Sequence, residues 1–168
     1  MAPIPTSFRA AVNKTTHDVV VEERPIRPLS GTQVLVKMEA TGICASDLHL
    51  TRKLNPYLIP SVDIGGHEGV GRIAALGPDA DRSQWKEGDR VAVRWLYYVC
   101  QKCELCRGGL EALCDQRVLG SVNVEGCWGG ESVIIVSCLF SCSLSGFTQN
   151  TPLPTAPIFC VSLKESTR

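Results

Sequence analysis

The chain has 168 residues and sets 17 Lys and Arg against 17 Asp and Glu, with 44% hydrophobic and 6% aromatic residues. Zero net charge and few aromatic rings argue against the basic field and stacking surface that polynucleotides require, so no nucleic-acid partner is expected. Apolar runs such as Val133 to Val136 fall far short of the roughly 20 residues that cross a bilayer, and the start of the chain carries neither a basic nor an apolar leader region, so the expectation is a cytoplasmic protein with no membrane partner.

From Phe8 onward, short β-branched runs alternate with turn residues, a strand pattern rather than a helical one. The predicted strands are Phe8 to Val12, Asp18 to Glu22, Gln33 to Ala40, Gly69 to Leu76 and Arg90 to Val93, separated by breakers such as Ser30-Gly31, Gly77-Pro78 and Glu87-Gly88-Asp89. One helix is predicted over Cys44 to Lys53, with Ser46-Asp47 serving its first turn and Asn55-Pro56 stopping it. The fold class is therefore mainly β.

Composition changes near residue 130. The first 130 residues hold 30 of the 34 charged groups, and the last 38 hold 4. This places one domain at 1–130 and a divergent, poorly ordered tail at 131–168. The codons for Gly130-Glu131-Ser132 can contain an intron donor, so translated intron is one origin for the tail. Glu131 to Val136 can equally be a last homologous strand.

Nine cysteines in a chain without a leader point to metal or chemistry rather than a disulfide framework. Cys100, Cys103, Cys106 and Cys114 follow the spacing C-x2-C-x2-C-x7-C, within a lobe of about 98–116. Two-residue spacers let successive sulfurs turn toward a common centre, as in a closed tetrahedral zinc site. The spacing also resembles the opening of an iron–sulfur motif. The long final spacer and Asp115, where such a motif has proline, argue against that. Four thiolates leave no open position, so this zinc would be structural rather than catalytic. Free or redox-active cysteines are the alternative.

Two further segments are weak alone: Gly42-Ile43-Cys44-Ala45-Ser46-Asp47-Leu48-His49 and Gly65-Gly66-His67-Glu68-Gly69. The run Gly-His-Glu-Gly-Val-Gly is not read as a dinucleotide loop, because no strand–turn–helix unit follows it.

Taken together with Trp-Lys-Glu-Gly-Asp-Arg-Val, Arg-Trp-Leu, the four cysteines and Gly-Cys-Trp-Gly, these segments resemble the N-terminal catalytic domain of the zinc-dependent medium-chain alcohol dehydrogenases, over about residues 7–130. Within that family the sequence resembles the microbial ethanol dehydrogenase branch in flavour. The resemblance implies a GroES-like, partly open β-barrel with an inserted four-cysteine zinc lobe. It implies that Cys44 and His67 are ligands of a catalytic zinc and that Glu68 is a neighbouring carboxylate able to approach it. Ser46 and His49 would relay the alcohol proton, Asp47 would orient His67 through its other ring nitrogen, and Trp95 would line the substrate pocket. Two cysteines and one histidine are the known zinc ligands of alcohol dehydrogenases, and the spacing here does not by itself derive them.

The same resemblance implies NAD or NADP as cofactor and a small alcohol, aldehyde or ketone as substrate, with a homo-oligomer for a full-length form. The family is about twice as long, so the Rossmann domain and the third zinc ligand are expected to be missing. No cofactor-binding residue is assigned, and Ala45 stands where many relatives have a basic residue for the cofactor pyrophosphate. Cys138, Cys142 and Cys160 fall outside any motif and are assigned no role. The expectation is therefore a dehydrogenase weak or inactive alone. The alternative is a non-catalytic zinc-binding module or pseudoenzyme fragment.

Overall fold

The computed structural model of the chain describes residues 5–135, 140–141 and 160–161. Strands β1 (Ser7–Asn13) and β2 (Val19–Pro25) form an antiparallel hairpin with Phe8 opposite Arg24 and Val12 opposite Val20. Its turn is closed by Thr15, whose hydroxyl accepts the Asp18 N–H at 3.1 Å and donates to the Asp18 carboxylate at 2.8 Å.

Strand β3 (Gln33–Gly42) is the organising strand of the main sheet. It leads into α1 (Ala45–Thr51) and pairs antiparallel with β4 (Gly69–Leu76), which pairs in turn with β5 (Arg90–Val93). Beyond it, β6 (Leu96–Tyr98), α2 (Glu104–Arg107) and β7 (Val118–Leu119) frame the cysteine lobe, with β6 and β7 paired at its base. Strand β8 (Glu131–Ile135) returns along the other side of β3, with Lys37 opposite Glu131 and Gln33 opposite Ile135. Strand pairing therefore continues five residues past the boundary expected at 130. Two short strands, β9 (Phe140–Ser141) and β10 (Cys160–Val161), pair with β5 and with the end of β3. The remainder of the expected tail, including Cys138 and Cys142, lies outside the described residues.

Burial explains why these segments are strands. Along β4 the alternation is strict: Gly69, Gly71, Ile73 and Ala75 face inward, the period-2 signature of a sheet with one covered face. Val34, Leu35 and Val36 are consecutive and all buried, so β3 is covered on both faces at that end. The largest core cluster joins Val34, Val36, Ile73, Val91 and Val93 to Trp85, Tyr97 and Cys127. A second, Ala10, Val12 and Ile64 with Phe8 and Trp128, fastens the β1–β2 hairpin to the segment before His67. A third, Leu50, Leu119 and Val122 with Trp95, seats α1 against the base of the cysteine lobe.

The five predicted strands occur with ends shifted by at most three residues, and the helix is shorter than the expected Cys44 to Lys53. Cys44 is its N-cap, and Lys53 leaves the helical region with a φ of 53°. The glycines of the Gly-His-Glu-Gly-Val-Gly run are packing residues. A Cβ on Gly71 would lie 2.2 Å from the Lys37 carbonyl oxygen, so β3 and β4 approach closely there.

Truncating Ile73, 2% exposed at the heart of the largest cluster, is expected to cost about 2–5 kcal/mol. Truncating Val21, 61% exposed on the hairpin, should stay within about 0.5 kcal/mol. Urea midpoints of Ile73→Ala and Val21→Ala check this, and equal losses would contradict the assigned core.

Candidate metal centres

The segment Cys44–Asp47 is a capping box. The Cys44 sulfur accepts the Ser46 N–H at 3.3 Å, and the Asp47 carboxylate accepts the Cys44 N–H at 2.9 Å. These contacts satisfy helix donors that would otherwise be bare and fix the direction of the Cys44 side chain. Asp47 is buried, at 2% exposure, and its second oxygen lies 2.9 Å from His67 Nδ1. An ionised carboxylate there accepts Nδ1–H, which leaves the Nε2 lone pair free. Nε2 faces Cys44 Sγ at 3.4 Å and Glu68 Oε1 at 3.7 Å. Burial alone would lower the His67 pKa. The Asp47 hydrogen bond and charge, with the charges of Cys44 and Glu68, outweigh burial and hold it above its ordinary value. A metal binding here would compete with a proton for Nε2.

Cys44, His67 and Glu68 thus bring one sulfur, one nitrogen and one carboxylate oxygen within 4.8 Å of one another. Zinc bonds of about 2.3 Å to sulfur and 2.0–2.1 Å to nitrogen put tetrahedral S and N ligands about 3.6 Å apart, close to the Cys44–His67 separation. The donor set therefore suits zinc, and three protein ligands would leave a fourth position open.

Trp95 meets the His67 ring edge-on, with centroids 4.9 Å apart and planes at 80°. Together with Thr41, Gly42, Val93 and Arg94 it lines a cleft of about 460 Å³ that reaches His67 and Glu68. Ser46 and His49 lie on the exposed side of α1, and neither side chain makes a hydrogen bond among the described residues. The structure thus brings Cys44, Asp47, His67, Glu68 and Trp95 together and leaves Ser46 and His49 facing outward.

Several supporting residues escaped the sequence reading. The Glu68 carbonyl is held twice, by Thr41 Oγ1 at 3.0 Å and by the Gly42 N–H at 2.7 Å, tying the Cys44 segment to the His67 segment. A Cβ on Gly42 would lie 2.4 Å from Glu68 Oε2, so glycine there leaves room for the carboxylate. Trp128 packs over Gly65 and Gly66, while Cys127 N–H and Trp128 N–H bond their carbonyls at 2.9 and 3.0 Å. The glycine pair and the Gly-Cys-Trp-Gly run were visible in sequence. Their pairing was not.

The four lobe cysteines form a second cluster. Their sulfurs lie 3.6 Å (Cys100–Cys114), 3.9 Å (Cys100–Cys106) and 4.0 Å (Cys103–Cys114) apart. Four sulfurs about 2.3 Å from one tetrahedral zinc sit about 3.8 Å from each other, so this donor set also suits zinc. The local chain builds the arrangement: Cys103 N–H points at Cys100 Sγ, and Cys106 N–H points at Cys103 Sγ. The N–H groups of Lys102 and Cys103 hold the Cys100 thiol down to about 6. Cys106 is pushed up to about 12, first by burial and then by the hydrogen bonds of Cys103 and Cys114. Without a cation, thiols this close resist ionising together.

A family model described as the alcohol dehydrogenase GroES-like domain matches residues 30–142. The chain belongs to this family. An alcohol dehydrogenase of Rhizobium meliloti is 41% identical over 126 residues, covering 72% of this chain and 35% of that protein. A sorbitol dehydrogenase of Bacillus subtilis is 38% identical over 126 residues, covering 73% of this chain and 35% of that protein. Among solved structures, acetophenone reductase of Geotrichum candidum in complex with NAD superposes with a TM-score of 0.74 at 26% identity, covering 88% of this chain and 43% of that one. The chain spans about 35% of the length of the curated relatives it matches. This GroES-like domain is mainly β, carries the cysteine lobe, and forms no helix long and apolar enough to cross a membrane among the described residues.

In reduced, metal-free protein at neutral pH, alkylation should reach Cys100 before Cys106, since the thiolate is the nucleophile. Cys127, buried and pushed up to about 12, should stay unmodified until unfolding. Cys100 labelling should slow as pH falls through about 6. Peptide mass spectrometry after timed labelling reads the order, and early modification of Cys127 would contradict it.

Proposed function

We propose that this domain holds a catalytic zinc through Cys44, His67 and Glu68 and a structural zinc through Cys100, Cys103, Cys106 and Cys114. It thereby forms the substrate-activating half of a dehydrogenase acting between small alcohols and their aldehydes or ketones. The observation that carries the reading is the convergence of Cys44 Sγ, His67 Nε2 and Glu68 Oε1 at the end of a cleft walled by Trp95. When bound, zinc supplies the Lewis acidity that eases loss of the alcohol proton, and NAD or NADP accepts the hydride.

The chain's own residues account for the rest. Asp47 keeps the His67 proton on Nδ1 and, through the Cys44 N–H, keeps the sulfur aimed at the same point. Glu68, half-exposed and lying over Gly42, where a Cβ would displace it, acts as the third ligand. Trp95 and Val93 give the cleft apolar walls, which favour small uncharged substrates. Ser46 and His49, exposed on α1 next to Cys44, would carry the alcohol proton to solvent only after a rearrangement that brings them to the cleft, which they do not line here.

Purified chain should retain about two zinc ions. Asp47→Asn should weaken one of them about 10–100-fold, because the buried partner of the histidine is lost. Cys100→Ser should release the other. Metal analysis during graded chelation, with circular dichroism as the folding control, checks both, and fewer than two zinc ions in wild-type protein would count against the pair of sites. Reduction of NAD or NADP with short alcohols tests the activity. Two retained zinc ions with no nicotinamide reduction by any form of the protein would favour a non-catalytic zinc module.

A further inference from the structure

Residues 99–117, which join β6 to β7, have no hydrophobic core of their own. Helix α2 and the single turn Glu111–Leu113 bury no residue, Leu110 and Leu113 are exposed, and Cys114 is the one buried side chain of the segment. Burial of apolar surface therefore cannot close it. Its four converging sulfurs stand in for a core, because a metal bound to them adds its binding free energy to folding. Cys100 stands two residues after β6 and Cys114 four before β7, with their sulfurs 3.6 Å apart, so the cluster ties the two ends of the segment together.

The strand pair that this segment closes is short. Strands β6 and β7 form a two-stranded sheet of their own, with Leu96 opposite Leu119 and Tyr98 opposite Val118, and an isolated ribbon of this kind is marginal in water. Tyr97 fixes β6 in the largest core cluster. Strand β7 has no second strand partner among the described residues and otherwise rests on the packing of Val118 and Leu119.

The far end of the pair reaches the cleft beside His67. Gly120, next after β7, donates its N–H to the Trp95 carbonyl at 2.8 Å, and Trp95 is the residue that meets the His67 ring edge-on. Ser121 follows at a φ of 58°, a left-handed conformation uncommon for a residue with a side chain. Its buried hydroxyl has no hydrogen-bond partner among the described residues. Both features cost free energy and persist only while the surroundings enforce them. The turn that holds Trp95 is therefore poised to relax once β7 loosens.

We propose that the four-cysteine lobe is a conformational switch for the cleft beside His67. With zinc on its sulfurs, β7 stays on β6 and Gly120 holds Trp95 against the His67 ring. Without zinc, β7 parts from β6, the Ser121 turn relaxes, and Trp95 leaves the ring, so the cleft loses that wall. The proposal rests on the reading of the lobe as a zinc site and adds the response of Trp95 to it.

The test uses the full chain carrying Cys44→Ser, which removes a ligand of the other site and keeps a side chain that caps helices well. With 5-fluorotryptophan at Trp85, Trp95 and Trp128, the fluorine NMR signals can be assigned from single Trp→Phe variants. Zinc is then titrated into the metal-free protein while metal analysis counts the bound ion. The Trp95 signal is expected to shift in step with zinc, complete at about one ion per chain, while Trp128, in the separate cluster with Ala10 and Ile64, stays unmoved. Adding Cys100→Ser should abolish both the binding and the shift. Zinc bound at the lobe with Trp95 unmoved would overturn the switch and leave the zinc site standing. No zinc bound would overturn both. Trp95 and Trp128 moving together would mean that zinc folds the whole domain, and would overturn a switch local to Trp95.

Discussion

The carboxylate of Asp47 joins two chain segments and so sets Cys44 beside His67, the pair at the centre of the first candidate metal site. One oxygen accepts the Cys44 N–H and the other lies at hydrogen-bond distance from His67 Nδ1, across a separation of 20 residues. A buried carboxylate is costly unless its charge is met by donors. Here both oxygens are met, so burial strengthens the two contacts and holds the thiol and the free ring nitrogen to one common point. The helix cap and the orientation of the histidine are in this sense a single interaction.

The rest of the fold serves that arrangement. Strands β3 and β4 deliver the two segments side by side, and the Glu68 carbonyl is clamped from β3 by Thr41 and Gly42. From behind, residues 126–128 bond the backbone at 64–66, and Trp128 covers the glycine pair. A bulkier residue at Gly65 or Gly66 would push Trp128 away and release the turn that presents His67. Trp95 closes the site by linking the His67 ring to the cluster that seats α1.

The cysteine lobe follows a different logic. Its four sulfurs fall within one fifteen-residue segment and are aimed by N–H groups from that same segment. It touches the barrel through the short β6–β7 pair, so its geometry owes little to the main sheet. The two candidate centres therefore differ in origin: one is assembled across the fold, and the other is wound locally.

That difference decides what was legible in the sequence. The strands appeared as period-2 runs, the helix by Ser46-Asp47 in its first turn, and the lobe as closely spaced cysteines, because each is determined by neighbours along the chain, whereas the Cys44–Asp47 capping box came from the structure. Short elements such as β6, β7 and α2 did not appear, since two to four residues carry too little period to be seen. The family resemblance named Cys44, His67, Glu68, Asp47 and Trp95 as partners. Only the tertiary structure showed Asp47 bridging both segments, Thr41 and Gly42 clamping Glu68, and Ser46 and His49 turned outward. The physical reason is that sequence by itself determines which donors and apolar faces exist. The register between β3 and β4, with the burial that enforces it, decides which of them meet.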